Sequence, residues 1–309
     1  MMLGLRIDVC TYEGLRSGVP TLLRLLERYG LRASFFVTLG PDRSGRAIFQ
    51  LFRPGFFAKM RRTRATQTYG WRTAMSGTLL PARDMGRLAP TIRQITGAAH
   101  EVALHGYDHR RWQDRVARMS ASHVRGLLTA AIAEYEHIVG RRPAGFGAPG
   151  WQCTPTSLRL LEEFGFAYAS DTRGGGPFFP CVDGGTLHTL QLPTTFPTLD
   201  EALGIDGMDG RGFVQLVRSL AGSVAWPVLV LHAEMEGGRY CDVAADLFSW
   251  FTSEGIAPMP LQDMAQHIQR LAGNIPRASI RDVSIPGRAG LVAAPNGLEP
   301  IRWRGGGAV

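Results

Sequence analysis

Short apolar runs alternate with amphipathic stretches from the first residues to about residue 272. Residues 2–9 read as a strand buried on both faces. Val19-Pro20 opens a helix with Leu22, Leu23, Leu26 and Tyr29 at helical spacing, and Gly30 stops it. Residues 33–37 form a second predicted strand. Helices are predicted near 86–98 and 120–139, the latter ended by Gly140, with a short strand at 101–104 between them. Phe146 to Ala148 reads as a strand end. Thr154-Pro155-Thr156 supplies a capping hydroxyl and a first-turn proline for a helix that runs through Leu158, Leu160 and Leu161 to Gly165. Strands at 166–170 and 228–231 follow, then a helix at 242–253, a strand near 257 and a helix at 262–272.

Strands alternating with helices argue for an α/β fold with parallel strands. Asp8, Cys10, His105, Gly150, Asp171 and His232 all fall at or just after predicted strand ends. In α/β barrels such ends form one mouth, where active sites sit. Past residue 275 the chain turns rich in Gly, Pro and Arg, which reads as a loosely packed tail. The expected organisation is one catalytic domain over 1–275, with an insert at about 41–85 and a tail over 276–309.

The chain has 309 residues, 45% apolar and 19% charged, enough to build a core and too apolar for disorder. No apolar run approaches the roughly 20 residues of a membrane span, and the opening residues do not read as a signal peptide. The four cysteines (Cys10, Cys153, Cys181 and Cys241) include no Cys-x-x-Cys pair. A reducing cytoplasm is therefore expected. The net charge of +8 is unevenly spread: nine basic residues and no acidic one lie between Arg43 and Arg83. Such a patch implies an anionic partner. Residues 48–62 interleave Ile48, Phe49, Leu51, Phe52, Phe56, Phe57 and Met60 with Arg53, Lys59, Arg61 and Arg62. That pattern suits an interfacial helix on an anionic membrane surface, the alternative being a helix packed on the barrel with a solvated basic face. Nucleic acid is not expected, since the basic window carries long apolar residues and no recognised motif.

The chemistry centres on His105-Gly-Tyr-Asp-His109. Histidines at i and i+4 can place two imidazoles on one side of a helical turn. A third ligand from the N-terminal strand would complete a three-ligand metal site with an open position for water, the outline of a metal hydrolase.

Thirteen segments extend this reading. They are Gly4-Leu-Arg-Ile-Asp8-Val, Ser34-Phe-Phe, Gly40-Pro-Asp42, Tyr69-Gly-Trp71, His100-Glu-Val, Leu104-His105, Asp108-His109, Gly150-Trp151, Ser170-Asp171, Arg173-Gly174, Leu192-Pro193, His232-Ala-Glu234 and Glu236-Gly237. In order and spacing they make residues 2–290 resemble the polysaccharide deacetylase (NodB-homology) superfamily. The resemblance implies a distorted (β/α)7 barrel and one divalent metal. Within the superfamily the chain is most similar to the deformylases of lipid A aminoarabinose modification. That implies removal of a formyl group from 4-deoxy-4-formamido-L-arabinose on undecaprenyl phosphate, by a cytoplasmic enzyme peripheral on the inner membrane. It further implies His105 and His109 as ligands, Asp8 as general base, His232 as general acid and Asp171 as the group that orients the acid histidine.

Two positions depart from the superfamily pattern. Cys10 stands where an aspartate supplies the third ligand. Thiolate carries the same charge but is softer, so a Cys/His/His set favours zinc over Mn²⁺ or Mg²⁺, with cobalt, manganese or nickel as alternatives. The other reading is a buried thiol with the metal site weakened or lost. Gly147 stands where many members carry an arginine that pairs with the base aspartate, and the sequence shows no replacement. Gly150 and Trp151 suit a pocket wall, or equally a turn glycine and a core tryptophan. Arg173 is a candidate for the substrate phosphate, or a surface arginine. Glu234 and Glu236 are candidates for the sugar hydroxyls or the 4-amido nitrogen. The competing functions are an N-deacetylase of another glycan, and a non-catalytic membrane-associated homologue disabled at Cys10.

Overall fold

The computed structural model describes residues 2–50, 73, 75–271, 274–304, 307 and 308. Eight strands form one parallel sheet: β1 (Met2–Val9), β2 (Ser34–Val37), β3 (Glu101–Leu104), β4 (Gly145–Phe146), β5 (Tyr168–Ala169), β6 (Leu190–Gln191), β7 (Val228–His232) and β8 (Ala257–Met259). Their order is β6-β5-β4-β3-β2-β1-β7, with β8 paired to the first residues of β1. The sheet curls so that its two ends meet. Just past β6, Thr195 donates its N–H to the Val228 carbonyl (3.1 Å) and accepts the Val228 N–H on its hydroxyl (2.8 Å). This is the distorted (β/α)7 barrel.

Alternation along the strands separates two layers. Leu3, Leu5, Ile7 and Val9 of β1, Phe35 and Val37 of β2, and Val102 and Leu104 of β3 pack outward against the surrounding helices. Phe36, Ala103, Tyr168, Leu190, Leu192 and Val228 pack together in a second, interior cluster. Arg6 and Asp8 share the inward face of β1 because they are two residues apart on an extended strand. At the N-terminal end of the barrel, Glu101 accepts hydrogen bonds from Ser34 Oγ, from Tyr168 Oη (2.8 Å) and from the N–H of Gln262 (3.0 Å). That buried knot ties the first turn of helix Leu261–Leu271 under the barrel, where such features serve stability.

The helices follow the predicted pattern closely: α1 (Val19–Tyr29), α2 (Ala89–Gly97), α3 (His109–Arg115), α4 (Ala121–Val139), α5 (Pro155–Glu163), α6 (Leu199–Ala202), α7 (Gly210–Leu220), α8 (Cys241–Ser253) and α9 (Leu261–Leu271). Thr154 caps α5 in a reciprocal pair with Ser157. Three elements are less visible in the sequence: α3, α6 and α7.

Residues past 275 are built into the fold where composition suggested loose packing. Ile280–Val283 and Val292–Pro295 form an antiparallel hairpin. Its buried Val292 and Ile285 pack with Trp151 and Val230. Backbone bonds from Arg173 to Ala293 and from Gly175 to Leu298 stitch it to the segment after β5. Apolar burial and main-chain pairing outweigh the loop-like composition. The basic-apolar stretch at 48–62 lies almost wholly outside the described residues. Among the described residues, no helix is long and apolar enough to cross a membrane.

Candidate metal centre and active site

The candidate residues gather at the C-terminal mouth of the barrel. Asp8 lies near the end of β1 and Cys10 follows it. His105 follows β3, Gly147 follows β4, Asp171 follows β5 and His232 ends β7. One ligand atom from each of Cys10, His105 and His109 lies within 4.8 Å of the other two.

Local structure places each of the three. Glu234 accepts the N–H groups of Cys10 and Thr11, both at 2.7 Å, and the Thr11 hydroxyl at 3.0 Å, all on one oxygen. That carboxylate fixes the turn carrying the thiol. His105 Nδ1 bonds the Gly147 carbonyl at 2.7 Å. A carbonyl only accepts, so Nδ1 carries the proton and Nε2 is left as the coordinating atom. The chain then passes through Gly106 at φ 74°, a left-handed conformation suited to glycine. Asp108 caps α3 by accepting the Arg111 N–H (3.0 Å) and is itself paired with Arg43. His109 is the first helical residue, and its ring centroid lies 5.1 Å from that of His105. The pair therefore meets across a strand end, a glycine turn and a helix start. The single helical turn expected from the spacing is not what joins them.

Electrostatics support these roles. Burial lowers both imidazoles, His105 to about 4 and His109 well below the usual histidine range, which keeps them neutral as metal ligation requires. Burial is the first cause pushing the Cys10 thiol up, followed by the Glu234 and Asp8 charges. A cation at the cluster would reverse that and stabilise the thiolate. The donor set thus fits a divalent metal: two neutral imidazoles, one oriented through its far nitrogen, and a thiol fixed by a carboxylate-bound turn.

Asp8 Oδ2 lies 3.7 Å from His105 Nε2, beside the cluster. Arg6 grips Asp8 with two bonds, Nε to Oδ1 at 2.5 Å and Nη2 to Oδ2 at 2.9 Å, and donates a third to the Ser170 carbonyl at 2.6 Å. Its guanidinium also lies 4.4 Å from the Phe36 ring centroid. Burial alone would raise the Asp8 carboxyl, but Arg6, His105 and His232 outweigh it and hold Asp8 below the usual range. Arg6 therefore partners Asp8, the place for which the sequence showed no candidate. A Cβ on Gly147 would come within 2.6 Å of Phe36 and 2.9 Å of Arg6 Nη2, so the glycine makes room for this arginine. The signal was present as Arg6-x-Asp8 on one face of a buried strand.

His232 ends β7 with its Nδ1 buried and, among the described residues, without a hydrogen-bond partner. Burial lowers its pKa, but the carboxylates of Asp200, Asp8, Glu236 and Glu234 together raise it above the ordinary value. Asp171, expected to orient this histidine, is committed elsewhere: it accepts the Ala148 N–H (2.8 Å) and Gln191 Nε2 (2.9 Å). Burial pushes its carboxyl up to about 6. Asp171 shapes the turn after β4, and Asp200 is the first carboxylate acting on the histidine.

The residues expected to meet substrate divide in the structure. Arg173 is buried, with both Glu201 oxygens at 2.8 Å from Nη1 and the Phe196 carbonyl at 2.7 Å from Nη2. Its donors are taken up inside the protein, which leaves it poorly placed for a substrate phosphate. Glu234 holds the Cys10 turn. Glu236 accepts the His232 N–H (2.8 Å), and burial lifts its carboxyl to about 7. Trp151 is buried with Val230, Ile285 and Val292, its Nε1 donating to Thr194 Oγ1 at 2.9 Å, and is flanked by the guanidinium groups of Arg173 and Arg288 at 4.8 and 4.7 Å. Gly150 offers its carbonyl to Arg288. Besides Arg6, the sequence reading missed Asp200 and Arg288. Thr198-x-x-Glu201, a capping-box pattern, could have flagged the first region. Nothing in the composition of the tail flagged the second.

Comparison with known proteins places this site in a family. The Polysaccharide deacetylase profile matches residues 2–169. The "Probable 4-deoxy-4-formamido-L-arabinose-phosphoundecaprenol deformylase ArnD" of Shewanella sediminis is 35% identical over 291 residues, 94% of this chain and 93% of that protein. The protein of the same name from Wigglesworthia glossinidia brevipalpis is 31% identical over 281 residues, 91% of this chain and 97% of its own length. A crystal structure of a probable polysaccharide deacetylase from Pseudomonas aeruginosa shares the fold at TM-score 0.61 and 18% identity, covering 88% of this chain and 92% of that one. With a curled parallel barrel and these relatives across nearly its whole length, the chain belongs to the polysaccharide deacetylase family.

Proposed function

We propose that this chain is a metal-dependent amide hydrolase that removes the formyl group from 4-deoxy-4-formamido-L-arabinose carried on undecaprenyl phosphate. The observation that carries the reading is the convergence of Cys10, His105 and His109 within 4.8 Å, with Asp8 3.7 Å from His105. The lipid-linked formamido sugar comes from the names of relatives at 31–35% identity, not from the geometry.

Cys10, His105 and His109 would hold the ion. A thiolate in the set favours zinc, with cobalt, manganese or nickel as alternatives. When bound, such an ion polarises an amide carbonyl and lowers the pKa of a water toward about 7. Asp8 stays ionised beside it because Arg6 neutralises its charge, so it can accept the proton of the attacking water. The carboxylates around His232 raise its pKa above the ordinary histidine value and favour its protonated form, so it can deliver a proton to the leaving amine. The water's oxygen ends in formate, whose hydrogen is the original formyl C–H; one water proton passes to Asp8, the other leaves as the new carboxyl ionises, and the nitrogen departs as the 4-amino group with the proton from His232. Trp151 and the Gly150 turn, next to the segment that carries His105 and His109, would form one wall of the mouth.

The basic-apolar segment at 48–62 supports docking on an anionic inner-membrane surface from the cytoplasmic side, where lipid phosphates meet the arginines and the rings enter the acyl boundary. The test is formate release from the formamido-arabinosyl lipid by purified, metal-loaded protein. An N-acetylated lipid and an N-acetylated glycan serve as comparisons. Release confined to the formamido lipid supports the proposal, and turnover of the acetylated glycan alone would replace it.

A further inference from the structure

We propose that Arg288, carried by the C-terminal hairpin, is the residue that receives the anionic phosphate ester of the substrate at the mouth of the barrel. The proposal rests on the deformylase reading for the identity of that anion.

Five observations carry it. First, Arg288 sits at the site: its Nη2 donates to the Gly150 carbonyl at 2.9 Å, and its guanidinium lies 4.7 Å from the Trp151 ring centroid. Second, that turn abuts the ligand segment. Pro149 lies against Gly106, and a Cβ at Gly150 would strike Gln113 of the helix that begins at His109. Third, its donors are incompletely used. Apart from Gly150, the acceptor beside it among the described residues is Glu201, with Nη1 to Oε1 at 3.6 Å, longer than a normal hydrogen bond. None of its nitrogens is among the sealed, unpartnered polar atoms, so the remaining N–H groups stay reachable. Fourth, the nearby counter-charge is already engaged. Glu201 is held by Arg173 through both oxygens at 2.8 Å and also accepts the Thr198 N–H at 3.0 Å. Asp200, which also tempers Arg288, accepts the Thr198 hydroxyl at 2.6 Å. Fifth, Arg173 shows the contrast. It stacks on the same indole, but its three nitrogens are spent on carbonyls and Glu201.

The chemistry follows. A largely buried guanidinium with its edge at the surface, stiffened by stacking and one carbonyl bond, presents a fork that matches two oxygens of a phosphate ester. In the proposed substrate the reacting amide and the phosphate lie on opposite sides of one sugar ring. An enzyme that seats the amide at the Cys10/His105/His109 cluster must therefore meet the phosphate at the rim of the same mouth, where Arg288 stands. The charge there would select phosphorylated over neutral formamido sugars.

The test compares wild type with Arg288→Gln and Arg288→Lys, each metal-loaded. Steady-state formate release is measured on a short-chain polyprenyl-phosphate formamido-arabinose and on the same sugar as a neutral methyl glycoside. Binding of the polyprenyl-phosphate sugar is measured separately by calorimetry, alongside inorganic phosphate. The expected result for Arg288→Gln is a rise in KM of about 10- to 100-fold for the phosphorylated substrate, with kcat and the neutral glycoside changed less than about twofold. Arg288→Lys should recover part of the loss, because the charge returns without the fork. Equal losses on both substrates would mark Arg288 as a structural prop of the Trp151 wall and overturn the proposal, as would unchanged KM. A wild type that binds the phosphorylated sugar in an Arg288-dependent manner but releases no formate would sink the deformylase reading while leaving the anion site standing. Inorganic phosphate binding as tightly as the sugar ester would show an anion site without substrate selectivity and would overturn the specificity role.

Discussion

Replacing Arg6 with methionine tests how this barrel keeps a charged base in its interior. The substitution retains most of the side-chain volume and removes the cation. Asp8 would lose two hydrogen bonds of 2.5 and 2.9 Å, and the Ser170 carbonyl would lose its 2.6 Å donor. Removing one partner of a buried ion pair leaves an uncompensated charge and costs about 3–5 kcal/mol. The pH dependence gives a sharper signature than the size of the loss. In the wild type, Asp8 is held below its ordinary value of 3.8, so its contribution to stability is full above that pH and is lost as pH falls through the lower, folded value. In Arg6→Met, burial acts on Asp8 without its largest opposing charge, and the folded pKa moves above the unfolded one. The sign then reverses, and the variant should gain stability relative to the wild type as pH falls from about 7.5 toward about 5, the other titrating groups being common to both proteins. The same shift reaches activity: each unit by which the Asp8 pKa passes the assay pH removes the ionised base about tenfold. Urea titrations at the two pH values, with pH–rate profiles of formate release, read both effects. An Arg6→Met protein within about 1 kcal/mol of wild type at neutral pH, with an unmoved acid limb, would refute the reasoning.

Three further predictions follow from the same geometry. Gly147→Ala places a Cβ 2.6 Å from Phe36 and 2.9 Å from Arg6 Nη2, so it should cost about 1–3 kcal/mol in chemical denaturation and depress turnover by disturbing Asp8. His232→Gln should lower kcat by about 10²- to 10⁴-fold with bound metal unchanged. The wild-type rate should fall with rising pH only above the ordinary histidine value of 6.5, since the acid's pKa is raised, and that limb should vanish in the variant. Cys10→Asp should shift metal preference from zinc toward manganese in competition dialysis followed by elemental analysis, because a hard carboxylate replaces a soft thiolate.

Much of the barrel was legible because parallel strands buried on both faces and helices with clear stops leave strong local patterns. Residues 2–9, 19–29, 101–104 and 121–139 match their predicted bounds to within a residue or so. Short elements without a long apolar period were harder, as α3 and α6 show. The hairpin past residue 275 was misread because its order comes from pairing and from burial against Trp151, not from composition. The spacing of His105 and His109 pointed to a pair that the structure does bring together, though through a different local geometry, since no periodicity reveals the left-handed turn at Gly106. Asp171, Arg173 and Glu236 illustrate a general limit. A charged residue near a mouth can be consumed by internal partners, and only coordinates show which ones are. Arg6 is the contrary case: its place beside Asp8 on one face of β1 follows from strand alternation alone.

The most direct measurement is anomalous diffraction from crystals of the purified, metal-loaded protein, collected across the zinc and manganese edges. The account predicts one peak, strongest at the zinc edge, about 2.3 Å from Cys10 Sγ and about 2.0–2.1 Å from a ring nitrogen of each of His105 and His109. A peak that leaves Cys10 beyond bonding distance, or no peak at this cluster in metal-loaded protein that still releases formate, would contradict it.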